Sequence, residues 1–321
     1  MLLTHEELRA SVAAIAADVA GAYARFEPAF LDTEVAGRFA RLPGVHPAVA
    51  ERLAAAHCST SNDFGDGEKA AVLVACGIIR AAEERLPGEG RTNLAPAIDL
   101  AASRAAEAVE RAAVPLRTPA EVERAATTAA AGDREIGAAI CQALARSGPD
   151  GIVHVNRGEP DDPPGVTVRD GEETGPRGRE MTVVVKGGTD AETADRNLRA
   201  VTALHAAVAA IARGRAPGGG AAYVLAAEAL RDQANEDTIT GLAALAVSAG
   251  LEVPLRVRAE AAGLDAGAIL AAVRNTPDVA FDQTKPGLVP VAKGPLDAAR
   301  IVQGAIREAG RAACDLLRRA L

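Results

Sequence analysis

The chain has 321 residues and a formal net charge of −8, and 49% of its residues are hydrophobic although only 2% are aromatic. A chain of this length can bury a large core and suggests two domains or slightly more. No basic stripe interrupts the acidic composition, which argues against nucleic acid and anionic membranes as partners. The N-terminus is acidic and no apolar run reaches about 18 residues, so we expect neither a signal peptide nor a transmembrane helix.

The cysteines and histidines give no sign of a metal site. The four cysteines, Cys58, Cys76, Cys141 and Cys314, lack Cys-x-x-Cys spacing. Cys76 and Cys141 lie within apolar helical patterns, where a thiol usually serves as a small core hydrophobe. The five histidines are scattered without metal-ligand spacing. We expect a reducing compartment, the cytoplasm.

Apolar periodicity predicts that the first half of the chain is helical. Thr118-Pro119-Ala120-Glu121 is a capping box with proline at the first helical position, so it predicts a helix start. Residues 26–46 contain Pro43 and Gly44 and are expected to be irregular. Helices are predicted over about residues 6–23, 47–57, 67–85, 96–112, 118–130 and 136–144.

The second half begins with short extended segments. Residues 151–155 and 181–186 read as strands, and between them Val166-Thr167-Val168 alternates while residues 171–178 are expected to be loop. A turn at residues 187–190 then predicts a long helix that ends near Gly214. Everything after Gly220 is expected to be helices with short loops, apart from extended chain over residues 281–293.

The most informative local motif is Gly65-Asp66-Gly67, which directly precedes a helical pattern that includes Val72 and Ile79. A glycine-rich turn at a helix N-terminus favours an anion through backbone N–H groups and the helix dipole. Asp66 could hold a metal ion beside that anion. The pattern is typical of a phosphate and Mg²⁺ site, although such a turn on its own is common.

Several further motifs follow in a fixed order along the chain. Ala113-Val114-Pro115 precedes Gly148-Pro-Asp-Gly-Ile-Val-His-Val155, and Ala203-Leu-His-Ala206 precedes Pro217-Gly-Gly-Gly220 and Glu252-Val-Pro-Leu-Arg256. Together with the Gly-Asp-Gly turn, they resemble the group I chaperonins, the Hsp60 family, in order and in much of their spacing.

This resemblance implies a mostly α, multihelical fold with small β elements. It implies an equatorial domain formed by residues 1–112 and 214–321, and a small α/β intermediate domain over residues 113–213. In the family a large apical domain follows the first strand of the intermediate domain. Only residues 156–180 stand at that place here, too few for such a domain, so we expect no apical domain and no co-chaperonin partner.

The resemblance also implies a nucleotide site for ATP or ADP with Mg²⁺, and part of that site is retained. Asp66 matches the metal-binding aspartate, and Gly65 and Gly67 keep the backbone space that a phosphate needs. Asp297 aligns with the aspartate that holds the ribose, and Asp282-Gln283-Thr284 matches the base-contacting segment poorly. The glycine loop that packs against the nucleotide is matched by Gly218, Gly219 and Gly220.

Other positions of that site are changed. Thr202 stands where the family has its catalytic aspartate, and a hydroxyl cannot position water as a carboxylate does. Glu68-Lys69-Ala70 replaces the family's phosphate-binding threonines, and Glu68 repels a phosphate. The first phosphate loop is not recognisable after Gly21, and His205 is expected to be an ordinary helix residue. We therefore expect no catalytic residue, and ATP hydrolysis is expected to be largely lost.

Three functional hypotheses follow. The first is a chaperonin-like protein that does not hydrolyse nucleotide and serves as an interaction or assembly factor for a specific protein partner. The second is an ATP-dependent mini-chaperone, and the third is an enzyme with a new activity in the old cleft, which no spacing favours. Residues 31–47 do not read as the hairpin that stitches family rings, and residues 311–321 read as a helix. We therefore expect a monomer or small oligomer rather than a seven-membered ring.

Overall fold

A computed structural model describes residues 3–25, 32–85, 91–231, 234–235 and 237–320. Within these ranges the chain begins with five helices, which are rich in alanine and leucine, two residues that favour helix. They are α1 (His5–Ala24), α2 (Asp32–Ala40), α3 (Pro47–Phe64), α4 (Glu68–Arg85) and α5 (Arg91–Ala112).

The middle of the chain forms a small α/β layer. The helices α6 (Pro119–Ala129), α7 (Arg134–Ser147) and α8 (Asp190–Arg213) pack on a three-stranded sheet of β1 (Ile152–Arg157), β2 (Gly165–Gly175) and β3 (Gly178–Lys186). The strand order is β1-β3-β2, with β1 parallel and β2 antiparallel to β3. Residues 158–177 between β1 and β3 contain a turn and strand β2.

The chain then returns to the first helices. The remaining elements are β4 (Arg215–Pro217), α9 (Ala221–Arg231), α10 (Ile239–Leu251), α11 (Val253–Ala261), α12 (Ala266–Asn275), β5 (Val279–Asp282), β6 (Gly287–Pro290), β7 (Leu296–Ala298) and α13 (Ala299–Arg319). Strand β4 pairs with β7, and β5 pairs with β6.

The largest core joins both ends of the chain. Helix α4 is buried along almost its whole length, and it packs against α1, α3, α10 and α13. Helix α13 also packs along α5. A separate core lies between the three-stranded sheet and α6, α7 and α8. The residues before the middle layer and those after it thus form one helical body.

Most of the predicted elements are confirmed. Helix α6 starts with the Thr118–Glu121 capping box and Pro119, and the long helix α8 ends at Arg213. Strands β5 and β6 occupy the stretch expected to be extended. Helix α13 continues to Arg319, and Ala320 forms a parallel bridge with Leu3. The structure is mostly helical with small sheets, as expected.

Two predictions of irregular chain were wrong. Residues 26–31 of the first segment lie outside the described residues, but Asp32–Ala40 form a helix because Val35 and Phe39, one turn apart, are both completely buried. In the second segment, strand β2 continues to Gly175 because its acidic side chains meet basic ones across the hairpin, as Asp170 and Glu173 meet Arg179. Helix α3 also continues to Phe64, beyond its predicted end.

One stretch, Ile239–Ala261, is long and apolar enough to cross a membrane by length and composition alone. It consists of two helices, α10 and α11, which meet at Glu252 and Pro254. Just over half of its most apolar window is buried inside the protein, against α4, α5 and α9. These two helices pack within the helical body.

Helices α4 and α10 approach each other through a pair of glycines, Gly77 and Gly250. A Cβ atom added to Gly77 would lie 2.8 Å from the Cα atom of Gly250 and 2.7 Å from a methyl group of Val253. Backbone cannot yield as a flexible side chain can. We predict that Gly77→Ala lowers the free energy of unfolding by about 1–3 kcal/mol, measured by denaturant unfolding.

Gly37→Ala is the matched control, because Gly37 is also helical but its added Cβ would meet only the Arg41 guanidinium, at 3.3 Å. This control should be neutral or stabilising by up to about 1 kcal/mol, from helix propensity. Equal stability of the Gly77 variant and the unmodified protein would contradict the close helix contact.

Candidate functional site

The predicted Gly-Asp-Gly turn lies between helices α3 and α4. Gly65 caps α3 in the left-handed conformation (φ 71°), and its N–H donates to the Ser61 carbonyl at 2.7 Å. Gly67 is also left-handed (φ 88°), and its N–H donates to Asp66 Oδ1 at 2.6 Å. Both glycines allow a backbone that other residues adopt only with strain. The turn thus presents Asp66 at the start of α4, as predicted.

Asp66 lines a partly open cavity of about 120 Å³ at the meeting point of α4, α8 and β7. Of the residues predicted for the site, Asp66, Gly67, Thr202 and Asp297 line this cavity. They lie far apart in the sequence, so folding alone brings them together. Glu68, Lys69, Arg199, Tyr23, Tyr223 and Arg258 are among the other residues that line it.

The predicted glycine loop lies next to Asp297 and helps to hold it in place. Strand β4 leads directly into Gly218, and it pairs with β7, which carries Asp297. The N–H of Gly220 donates a hydrogen bond to the Asp297 carboxylate. A Cβ atom on Gly219 would lie 2.0 Å from the Phe281 carbonyl oxygen, and one on Gly218 would meet the backbone of Pro295 at 2.7 Å. The three glycines permit close backbone packing around the site, outside the residues that line the cavity.

The acidic groups of the cavity titrate abnormally. Burial, and then the nearby Glu68 carboxylate, raise the pKa of Asp66 from 3.8 to about 7. Burial also raises the pKa of Asp297 to about 6, an effect that the positive charge of Arg258 opposes. Burial thus disfavours the carboxylate form of both aspartates in this cavity. Protonation, or a nearby positive charge, offsets that cost.

A guanidinium and two phenol rings occupy the centre of this region. The Arg258 guanidinium lies 4.4 Å from the centroid of the Tyr23 ring, within range of a cation–π interaction, and its Nε is buried. Arg258 is also attracted to Asp297 and Asp66. Tyr223 is buried nearby, and burial raises its pKa well above the usual value.

Sequence reasoning missed these three residues. Tyr23 lies at the end of α1, in the stretch where the resemblance placed a phosphate loop that could not be found. Arg258 follows two residues after the Glu252–Arg256 motif, and Tyr223 follows the glycine loop. The scarcity of aromatic residues offers the one usable signal, because the chain has only two tyrosines and no tryptophan. Both tyrosines line the cavity.

Helix α8 closes the cavity from the side of the middle layer. It carries Thr202 into the lining, and one turn later His205 packs on the turn before α4. A Cβ atom on Gly65 would lie 1.9 Å from His205 Nδ1. His205 is a helix residue with an exposed surface, as expected. The contact between Gly65 and His205 sets how closely α8 approaches Asp66.

A second cavity of about 290 Å³ adjoins the first. Asp282, Gln283 and Thr284, the segment that the resemblance compares with the base contact, line this second cavity. Arg258 and Thr128 line both cavities and therefore stand between them. The second cavity is also lined by Glu123, Arg124, Thr127, Gly132, Arg134, Phe281, Lys293, Gly294 and Pro295.

A nucleotide with its metal ion does not fit this arrangement. Small-molecule sites usually have about 300–1,000 Å³, well above the volume of the cavity that contains Asp66. Glu68, whose carboxylate would repel a phosphate, is buried in the lining of the cavity that contains Asp66, and Arg258 and Thr128 line both cavities. Within the described ranges, no group of three or more His, Cys, Asp or Glu side chains could hold a metal ion. The assignment of Asp66 as a Mg²⁺ ligand stays a prediction.

Comparison with known proteins agrees with this fold. A family model described as the TCP-1/cpn60 chaperonin family matches residues 148–319, which is more than half of the chain. The chain is also similar in structure to a group III chaperonin whose crystal structure is in the open state. That likeness has a TM-score of 0.73 at 15% sequence identity, and it covers 98% of each chain. At this identity the likeness shows a shared fold, and it confirms the expected fold class.

The raised pKa of Asp66 makes stability depend on pH. The folded protein holds this proton more tightly than the unfolded chain, in which the pKa is near 3.8, so stability falls as pH rises from about 4 to about 7. We predict that Asp66→Asn unfolds at the same temperature as the unmodified protein at pH 5 but at a higher temperature at pH 8. Asp63→Asn, an exposed neighbour outside the cavity, should show no such pH-dependent gain.

The contact between Gly65 and His205 predicts a second effect. Gly65→Ala should lower the free energy of unfolding by about 1–3 kcal/mol, because it adds both a clash and a strained left-handed residue. Adding His205→Ala should restore part of the loss, since it removes the clash and leaves the strain. Denaturant unfolding of the two single variants and the double variant measures this coupling, and strictly additive losses would contradict the contact.

Proposed function

The chain belongs to the TCP-1/cpn60 chaperonin family, and from that premise we propose that it is a chaperonin-like protein with a degenerate nucleotide site. It acts as an interaction or assembly factor for a specific protein partner and does not hydrolyse ATP. It works in the cytoplasm as a monomer or small oligomer, without apical domain or co-chaperonin, and it binds neither nucleic acid nor membrane.

The observation that carries this proposal is the composition of the cavity around Asp66. Helix α8 brings Thr202 into the cavity, and the resemblance pairs this residue with the family's catalytic aspartate. A neutral hydroxyl cannot activate water as a carboxylate does. Glu68 adds a buried negative charge at the start of α4, where a phosphate would need a neutral or positive group. Charge and chemistry both disfavour hydrolysis.

An exposed groove supports the role as an interaction factor. Helix α8 leaves Val208 and Ile211 about half exposed, at 47% and 53%, on the side that faces α7 and β1. They line a groove of about 860 Å³ that extends to Phe64 at the end of α3. Large apolar side chains grouped at a groove are typical of protein contact sites. We place the partner contact here.

The alternative is an ATP-dependent mini-chaperone, and one observation favours it. Asp66 and Asp297, which the resemblance pairs with the metal ion and the ribose, line one cavity although they are far apart in sequence. This alternative therefore requires nucleotide to bind and to be hydrolysed.

Turnover separates the two functions. We predict no steady ATP hydrolysis with Mg²⁺, because loss of a water-positioning carboxylate typically costs about 10²–10⁴-fold in rate. Calorimetric titration with ATP and with ADP should give no binding heat. Thr202→Asp tests the cause: restoring the carboxylate should not restore turnover, because Glu68 and the small cavity remain. Hydrolysis by the unmodified protein that Asp66→Ala abolishes would establish the mini-chaperone instead.

A further inference from the structure

We propose that Arg258 is an internal plug of the cleft: its guanidinium stands between the two cavities, takes the place of a bound ligand, and excludes magnesium nucleotide. The inference rests on the proposed function, since it explains why the unmodified protein would not bind nucleotide. It adds a specific residue, outside every position that the family resemblance marked, whose removal would create a binding site.

The position of Arg258 supports this role. Arg258 comes from α11, which packs against α1 and α4, and its side chain crosses to the Tyr23 ring at the end of α1. Thr128 also lines both cavities, but it is short and fixed. Its Oγ1 donates to the Arg124 carbonyl at 2.8 Å and accepts from the Leu296 N–H at 3.1 Å. Arg258 is thus the long side chain that keeps the cavities apart.

The positive charge of Arg258 also supports this role. The cavity collects the carboxylates of Asp66, Glu68 and Asp297 around a small volume. Such a cluster in a small space is unfavourable unless a cation lies within it. The positive charge of Arg258 acts on Asp297 and also attracts Asp66, on which Lys69 acts as well. The Arg258 guanidinium thus supplies part of the positive charge that a metal ion would supply in an occupied site. Arg199 also lines this cavity, but it pairs with Asp195 at 2.8 Å.

The volumes of the two cavities are consistent with this role as well. The cavity that contains Asp66 has about 120 Å³, well below an ordinary small-molecule site, and the second has about 290 Å³, at the lower limit of such sites. Truncation of Arg258 removes the shared wall and adds the volume of most of an arginine side chain. The joined space extends from Asp66 to the Asp282–Thr284 segment and falls within the usual range for small-molecule sites.

The test compares Arg258→Ala with Arg256→Ala. Arg256 is on the same helix and pairs with Glu252 at 3.8 Å, but it lines neither cavity, so its variant controls for the loss of a positive charge from α11. Magnesium ADP is titrated into each variant and the unmodified protein by calorimetry. We expect Arg258→Ala to bind at least about tenfold more tightly than the other two proteins.

Tyrosine fluorescence provides a readout at the site itself. The chain has no tryptophan, and both of its tyrosines line the cavity that contains Asp66. Excitation near the tyrosine band therefore reports this cleft, and magnesium ADP should change the emission of Arg258→Ala and leave that of Arg256→Ala unchanged. Ligand binding should also raise the unfolding temperature of Arg258→Ala alone.

The outcomes separate the inference from the proposed function. A folded Arg258→Ala protein that binds magnesium ADP no better than the unmodified protein overturns the plug. Nucleotide binding by the unmodified protein overturns the degenerate site, whatever the variant does. If Arg258→Ala does not fold, Arg258→Met decides in its place, because it keeps the apolar stem and removes the guanidinium. Arg258→Lys should bind weakly or not at all, because it keeps the charge within the cleft.

Discussion

The interaction between Arg258 and the two aspartates, Asp66 and Asp297, is the constraint on which the rest of the site depends. Two carboxylates enclosed in a small cavity repel each other and lose their hydration, and their raised pKa values record that cost. A guanidinium stacked on Tyr23 offsets part of it. These four residues come from α1, from the turn before α4, from α11 and from β7. The site therefore forms only when the early and late parts of the chain have assembled into one helical body.

Close backbone packing makes this assembly geometrically feasible. Gly219 admits the Phe281 carbonyl, Gly220 reaches the Asp297 carboxylate, and Gly65 admits His205 of α8. At each place even a methyl group would hold apart two elements that carry site residues. The glycine loop thus contributes to the site through the position that it gives β7, whether or not a nucleotide ever contacts it.

Motifs in the sequence predicted the helical fold and the place of Asp66, because glycine turns, capping boxes and apolar periodicity act over short distances. Helix α2 was missed because its evidence, the burial of Val35 and Phe39, depends on partners elsewhere in the chain. The same holds for β2, whose Asp170 pairs both with Arg179 across the hairpin and with Arg146 of α7. In the site, the resemblance pointed to Asp66, Thr202 and Asp297, which the structure brings to one cavity. Tyr23 and Arg258 could not be predicted, since an arginine in a helical motif normally indicates a solvated surface.

Under the proposed function, Asp66 and Asp297 are kept although the catalytic carboxylate is lost, and the same interaction explains this. Carboxylates buried together in a cleft destabilise the fold unless a cation lies near them. Arg258 is such a cation. With it in place, the acidic residues become part of the structure that holds α1, α4, α11 and β7 together. Under the proposed function, this packing below α8 keeps the exposed groove along α8 in one shape for a partner to recognise.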